Sequence, residues 1–480
     1  MATKKQSGQV FTPLYLVCDI LDIAGYAGVP VLHKHIIDNS CGDGAFLCEI
    51  VQRYCTVFLQ KFNNLQVLKK ELSTYIHGIE LDPIAYQQCI DNLNALVQAF
   101  HLSDIKWDIR NTDALTISCF DDKMDFVVGN PPYVRVHNLA DTYQSVKQLH
   151  FTQGGMTDLY LAFYEIGFQM LRTGGKLCYI TPSSWINSIA GGNMRQYIYE
   201  HKNLVKLVDL EHFQPFEATT YTMIALFEKG VIHSDFTYCT YIGKQHIILV
   251  SECLQLEETM VGNCMYLADH QTLAVLRDIF TTSHKQYVQV KNGFATLADS
   301  IFIRPDFPFT EYTIPVLKAS TGKWNKAFYP YNTQGKPLSK EQIFSIHSIQ
   351  DYLNQNKNNL LKEHTEEEYP EWYLYGRTQA LKDVWADKYA INSLILNQDS
   401  IKLEKVTKGS GVYSGLYILA DINEGILRNI LFSNEFIRFV RTLRHYKSGG
   451  YYTFSSKELE QYINYKLTTY ENKNNLCSVE

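Results

Sequence analysis

No apolar run in the 480 residues approaches the roughly 20 needed for a helix to cross a bilayer, and the N-terminus lacks the apolar stretch of a signal peptide. A membrane or exported protein is not expected; a cytoplasmic one is. The eleven cysteines are scattered, odd in number and never spaced Cys-x-x-Cys, which argues against a disulfide frame or a zinc site. No metal is expected. Excess positive charge is missing too: 44 Lys+Arg stand against 50 Asp+Glu, a net of −6. The whole negative excess lies in residues 1–240, with 18 basic and 24 acidic residues, while the rest of the chain is neutral. A polyanionic partner would have to be met by local patches. What the chain does have is length and 46% hydrophobic residues, enough for two substantial cores.

The most informative segment is Asn130-Pro131-Pro132-Tyr133, which follows the apolar run Met124 to Gly129. The run reads as a buried strand, and the tetrapeptide as its exit loop. Two successive prolines fix φ, so the loop is stiff and can aim a side chain and a carbonyl at one point. The Asn130 amide oxygen and the Pro131 carbonyl can accept both hydrogens of an exocyclic amine. Tyr133 offers a face on which the base carrying that amine stacks. The plain alternative is a Pro-rich turn at a strand end.

Upstream, Ile36 to Leu47 reads as strand, Gly-rich turn and helix, with Gly42 and Gly44 allowing close approach of a ligand. Position 47 is Leu, so the third glycine of a GxGxxG fingerprint is absent, and no Walker-type Lys-Ser/Thr follows. A pyrophosphate is therefore not the obvious ligand. A second strand ends at Glu80, suited to the two hydroxyls of a ribose, and Asp113-Ala114 follows a third. Three strand ends of this kind describe a nucleoside site without phosphates, which S-adenosylmethionine fits.

These elements, with Gln9 to Pro13 ahead of them, occur in the order of the γ-class DNA adenine methyltransferases. The chain resembles the Taq-type members, which carry a C-terminal target-recognition domain. The resemblance is strong over residues 9–230 and weaker over 285–465. It implies that Thr12 and Asp38 to Ser40 contact the methionine part of S-adenosylmethionine, in a turn formed by Cys41, Gly42 and Gly44. Glu80 would hold the ribose, Asp113 and Ala114 the adenine, and Pro132 would line the cofactor ring, with Leu81 also among the cofactor-binding residues. Asn130, Pro131 and Tyr133 would hold the target base, and a second aromatic would cover its other face. Phe216 is assigned that place, with Phe213 as the alternative. Asp43 departs from the commoner Gly-Ser-Gly turn and is expected to point to solvent. Cys41 reads as a small turn residue rather than a nucleophile.

Strands and helices alternate through the first half. Helices are expected over 14–25 and 83–100 and from Asp158 to the Gly174-Gly175 pair; strands are expected over 176–181, 204–210 and 221–227. That is a doubly wound, Rossmann-like methyltransferase sheet in residues 1–240. Residues 241–480 show short β-like segments (288–290, 301–303, 389–391) among polar loops, an exposed helix and loop over 354–370, and are read as a smaller α+β target-recognition domain. Its candidate DNA contacts are Lys318, Lys323, Arg377 and the stripe Arg438, Arg441, Arg444, whose spacing places them on one helix face with Phe436, Val440 and Leu443 turned to a core. A solvated face is the alternative. Trp372 to Arg377 suits nucleic acid or ordinary aromatic packing equally.

The expectation is an S-adenosylmethionine-dependent methylation of adenine N6 in a specific duplex sequence, with the base flipped out, in a monomer whose companion restriction endonuclease, if any, acts separately. A cytosine ring-carbon enzyme would need a Pro-Cys pair, which is absent, and a Ser at position 130 would favour the cytosine amine. The rivals are protein-glutamine or ribosomal-RNA methylation, which usually lack so long a second half, and a non-catalytic DNA-binding subunit. A fused nuclease is not expected.

Overall fold

The computed structural model describes residues 12–136, 143–216, 220–243 and 245–477. Residues 9–11 and 217–219 of the motifs above lie outside them. The chain forms two compact units, Met1–Ala274 and Val275–Glu480.

The first unit is built on a nine-stranded sheet. Its elements in chain order are α1 (Leu14–Ala24), β1 (Ile36–Asp38), α2 (Ala45–Lys61), α3 (Leu65–Tyr75), β2 (Ile76–Glu80), α4 (Pro83–Gln98), β3 (Asp108–Asn111) and β4 (Met124–Gly129). Then come α5 (Tyr143–Gln148), α6 (Leu159–Met170), β5 (Leu171–Pro182), α7 (Gly192–His201), β6 (Leu204–Asp209), β7 (Thr222–Glu228), β8 (Asp235–Ile242) and β9 (Ile247–Gln255). The strand order is β3-β2-β1-β4-β5-β7-β6-β8-β9. The first five run parallel, and β7 runs antiparallel to both its neighbours. Every residue of β1 and β2 is buried, as befits parallel strands covered on both faces. Helices α1 to α4 share one apolar cluster with this sheet. The expected Rossmann-like α/β sheet is present. Because β1, β2 and β4 are parallel neighbours, their C-terminal ends gather at one edge, where ligands of such sheets bind.

Three local expectations change. The sheet continues past residue 240, since β8 pairs with β6 and β9 with β8. The helix opened by Asp158 stops at Met170, because the N–H groups of Asp122 and Lys123 take the carbonyls of Gln169 and Met170. The Gly174-Gly175 pair instead lies inside β5, in a bulge where Lys229 bonds both glycines; a Cβ on Gly175 would meet the Met124 carbonyl at 2.7 Å. Residues 299–302 form a short helix, and only Ile303–Arg304 is strand.

The second unit is a mosaic of small sheets: 288–292 with 416–420, 388–391 and 403–406, and 303–304 with 323–328, 313–318 and 411–413. Strands 288–292 and 388–391 stand where expected. Trp372, Tyr373 and Tyr375 are buried in an aromatic core with Phe302, Phe328 and Tyr331, so packing is their role. Among the described residues no helix is long and apolar enough to cross a membrane, no group of His, Cys, Asp and Glu is arranged to hold a metal, and the cysteines from Cys18 to Cys264 are free.

Candidate active site

The turn after β1 needs its glycines. Gly42 has φ +56° and Gly44 φ +91°, and Gly44 caps the start of α2, with Cys89 Sγ 2.7 Å from where its Cβ would be. Beside Gly42 nothing lies within 4 Å of a built Cβ. That space opens at the N-terminus of a helix, where backbone N–H groups point outward. Cys41 is buried, and its hydrogen bond with Cys89, reinforced by burial, pushes the thiol well above its usual range. Both effects disfavour the thiolate, the form in which a cysteine attacks.

Two carboxylates shape this turn. Glu80, at the end of β2, accepts the Gly42 N–H (2.8 Å) through one oxygen and the Asp82 N–H (2.8 Å) through the other. Each oxygen keeps acceptor capacity for a ligand hydroxyl. Asp38, at the end of β1, is 1% exposed and accepts the Ser40 N–H at 3.1 Å. Burial pushes its pKa up to about 7, the Ser40 bond pulls the other way, and the Glu80 charge adds to the rise. Ser40 Oγ is a buried polar atom with no hydrogen-bond partner. The end of β3 is tied to that of β2 by Asn111, whose amide donates to the Glu80 and Leu81 carbonyls. There Asp113 caps a turn through the Leu115 N–H (2.9 Å), Ala114 is buried, and Leu81 is 64% exposed. Asp43 is partly buried, and burial raises its pKa.

Asn130-Pro131-Pro132-Tyr133 leaves β4 directly beside Asp38. The register pairs Asp38 with Val128, and a Cβ on Gly129 would lie 2.7 Å from Asp38 Oδ1. Only glycine fits there. Asn130 Nδ2 donates to Thr12 Oγ1 (3.1 Å), which brings the N-terminal segment to the same point. Tyr133 donates to the Ile180 carbonyl of β5 (3.2 Å). Phe216 stands against Tyr133, ring centroids 6.3 Å apart and planes at 77°, whereas Phe213 stacks on Tyr241. Of the two sequence candidates, Phe216 is the one at the tetrapeptide. Sequence reading missed the supports behind it. Tyr179 donates to Asn39 Oδ1 (2.8 Å), and Tyr164 bonds Thr181 Oγ1 (3.0 Å), holding β5 and α6 against the site. Buried tyrosines in an apolar helix or strand carry no local pattern that marks them.

The distal cations divide. Lys318 and Lys323 stand opposite each other at the end of a hairpin, and such like-charge pairs disfavour the strand pairing they sit in. Arg377 is exposed, as are Arg438 and Arg441 on the helix Asn434–Thr442. Phe436, Val440 and Leu443 are buried as expected. Arg444 does not belong to the stripe. The helix ends at Thr442, and Arg444 has φ +58°, is 9% exposed and donates to Tyr446 Oη at 3.1 Å. The i, i+3, i+6 spacing outran the helix.

Residues 44–216 match the Eco57I restriction-modification methylase family. The matched segment runs from the Gly44 turn through Asn130 to Phe216, so it contains most of the constellation above. Among similar curated proteins is the type II methyltransferase M.BstVI of Geobacillus stearothermophilus, 29% identical over 258 residues, covering 48% of this chain and 45% of that protein. Another is the type II restriction enzyme and methyltransferase RM.Eco57I of Escherichia coli, 23% identical over 547 residues, covering 91% of this chain and 54% of that one. The chain thus spans about half the length of the curated relatives it matches. The fold is shared with the type IIL restriction-modification enzyme MmeI, solved in complex with DNA, at TM-score 0.63 and 13% identity over 92% of this chain and 63% of that one. It is also shared with the type ISP enzyme LlaGI, at TM-score 0.53 and 12% identity over 96% and 54%.

The cofactor of Eco57I-type methylases is S-adenosylmethionine, and the donor set here fits it. Asp38 forms no ion pair among the described residues and suits a cationic methionine portion. Ser40 Oγ awaits a partner, the space at Gly42 admits a ligand, Glu80 suits a ribose diol, and Leu81, Asp113 and Ala114 suit a purine.

Proposed function

We propose that this protein methylates the exocyclic N6 amine of adenine at a specific sequence in duplex DNA, as the modification activity of a restriction-modification system in the cytoplasm. The observation that carries the reading is the meeting of Asn130, Thr12, Asp38 and the Tyr133–Phe216 ring pair at the C-terminal edge of β1 and β4. S-adenosylmethionine, when bound, supplies an electrophilic methyl group. The chain supplies geometry. With Nδ2 turned to Thr12, the acceptor of the Asn130 amide is Oδ1, and with the Pro131 carbonyl it takes both hydrogens of the amine. Those bonds draw the nitrogen lone pair out of the ring and aim it at the methyl group, so they strengthen as positive charge develops on nitrogen. No covalent intermediate on the chain is needed.

Reaching the amine requires the base to leave the helix, at a cost of a few kcal/mol. Tyr133 and Phe216 offset part of this by stacking. Their rings stand edge to face, so one ring turns to admit a base lying about 3.4 Å from each, the stacking distance in DNA. The second unit would read the sequence, with Lys318, Lys323, Arg377, Arg438 and Arg441 on phosphates.

The test is single-molecule sequencing of DNA from cells expressing the protein, with transfer of labelled methyl groups to DNA in vitro. N6-methyladenine in one motif is the expected outcome. Methyl groups on the cytosine amine would reassign the base, and unmodified DNA would overturn the reading.

A further inference from the structure

Two apolar side chains project into solvent from touching, glycine-rich loops, one of which is followed by residues paired with the chain just after Tyr133. Met156 is 74% exposed and Ile189 86%. The loops meet through glycine: a Cβ on Gly155 would stand 3.5 Å from Ile189 Cγ2, and one on Gly154 3.4 Å from the Ile189 carbonyl.

Both loops are rooted at the Tyr133–Phe216 pocket. The chain just after Tyr133 pairs with the far side of the Met156 loop: Val136 N–H donates to the Thr157 carbonyl (2.9 Å), Leu159 N–H to the Val134 carbonyl (2.7 Å), and the backbones of Arg135 and Asp158 pair as an antiparallel bridge. The Ile189 loop continues from β5, whose Ile180 carbonyl receives the Tyr133 hydroxyl. Neither loop is slack. Thr157 Oγ1 ties the first to the Thr152 and Gly154 carbonyls at 3.1 and 3.2 Å. The second is braced by Arg195 of α7, which is 2% exposed and donates to the Trp185 carbonyl and to the Ser188 carbonyl at 2.9 Å. A guanidinium taken out of water to hold backbone carbonyls is costly, and the Trp185 and Ser188 carbonyls it holds belong to the loop that carries the exposed Ile189. Arg135, exposed, adds a cation on the same side.

We propose that Met156 and Ile189 form an apolar wedge that enters the base stack at the position the target adenine vacates. The inference rests on the base-flipping reading above and names the device that holds the helix open. Unbranched and branched apolar side chains of this size are those used elsewhere to part base steps, and a braced, glycine-backed tip presents them without rearrangement of the loops.

The test uses the full chain and a duplex carrying the modified sequence mapped in expressing cells. On the fully paired duplex, the Met156→Ala, Ile189→Ala double variant should methylate with kcat/KM lowered about tenfold, equivalent to 1.4 kcal/mol of lost stabilisation. When the target adenine faces an abasic site, release from the stack is easier, and the variant should come within about twofold of wild type. The Met156→Leu, Ile189→Leu variant keeps the bulk and should match wild type on both duplexes. With 2-aminopurine in place of the target adenine, the double-alanine variant should show a smaller fluorescence change on binding the paired duplex. Equal losses on both duplexes, or none on either, would overturn the wedge. A wild-type protein that neither methylates DNA nor perturbs 2-aminopurine would overturn the base-flipping reading instead.

Discussion

Two aspartates stand at opposite ends of adjacent parallel strands, Asp38 at the end of β1 and Asp125 near the start of β4. Both are buried, at 1% and 8% exposure. Asp125 accepts from Arg172 Nε (2.8 Å) and the His35 N–H (2.9 Å), with Lys34 Nζ at 3.4 Å. Burial works against its charge, but the Arg172 bond, the His35 N–H and the two cations together hold its pKa below the usual carboxylate range. Asp38 has one backbone N–H and a neighbouring carboxylate, and its pKa rises to about 7. One fold thus treats the same side chain in two ways. At the N-terminal edge the charge is neutralised inside the chain and serves stability. At the C-terminal edge it is left for a ligand to complete, as expected of functional sites.

The comparison is sharpest where turnover and stability should part. Asn130→Ala should lower kcat by about 100- to 1000-fold, the loss typical of one preorganised transition-state contact, with DNA affinity and Tm nearly intact. A kcat near wild type would remove Asn130 from the reacting atoms.

Next in size is the pH dependence of Asp38. Its folded pKa lies above its unfolded value, so between about pH 4 and pH 7 the folded state holds a proton that the unfolded chain has released, and stability falls as pH rises through that window. Asp38→Asn lacks this component while keeping the acceptor for Ser40. In cofactor-free protein, urea unfolding should show the variant gaining on wild type by roughly 3 kcal/mol between pH 4 and pH 8, while its affinity for S-adenosylmethionine drops. Parallel pH profiles for the two proteins would return Asp38 to an ordinary carboxylate.

Asp125→Ala should do the opposite. Removing it strands Arg172 and Lys34, both partly exposed, and should cost roughly 2 kcal/mol of stability with little change in kcat at a temperature where the variant is folded. A large kcat defect in folded protein would break the division between the two edges.

The smallest effect lies in the second unit. Arg438→Ala with Arg441→Ala should reduce the magnitude of the log–log salt slope of DNA binding by about 2, one per phosphate, and adding Arg444→Ala should not reduce it further. A further fall on the third substitution would show that Arg444 leaves its buried site to meet DNA.

Much of the first unit was legible because its signals are local. Apolar runs of four to six residues bounded by Gly, Pro and Asp marked β1, β2, β4, β6 and β7, and the turns at their ends carried the site. The second unit was less legible. Its strands are short and its sheets join residues far apart, such as 313–318 with 411–413, so hydrophobic periodicity says little about partners. Arg444 shows the limit at one residue: spacing extended the helix face, but a C-cap at Leu443 turned the chain and buried the guanidinium.

The sequence by itself determined the chemistry on offer: a stiff Asn-Pro-Pro-Tyr loop, a glycine turn without phosphate-binding lysine, and acids at three strand ends. These follow from bond geometry and residue type within a few positions of one another. Tertiary structure decided which of two phenylalanines faces Tyr133, which of two buried aspartates loses its charge partner, and which arginines stay in water. It also set the Gly154-Gly155 turn that precedes Met156 against Ile189, more than 30 positions further along the chain. Contact, burial and desolvation are properties of neighbours in space, and the order of residues along a chain does not list them.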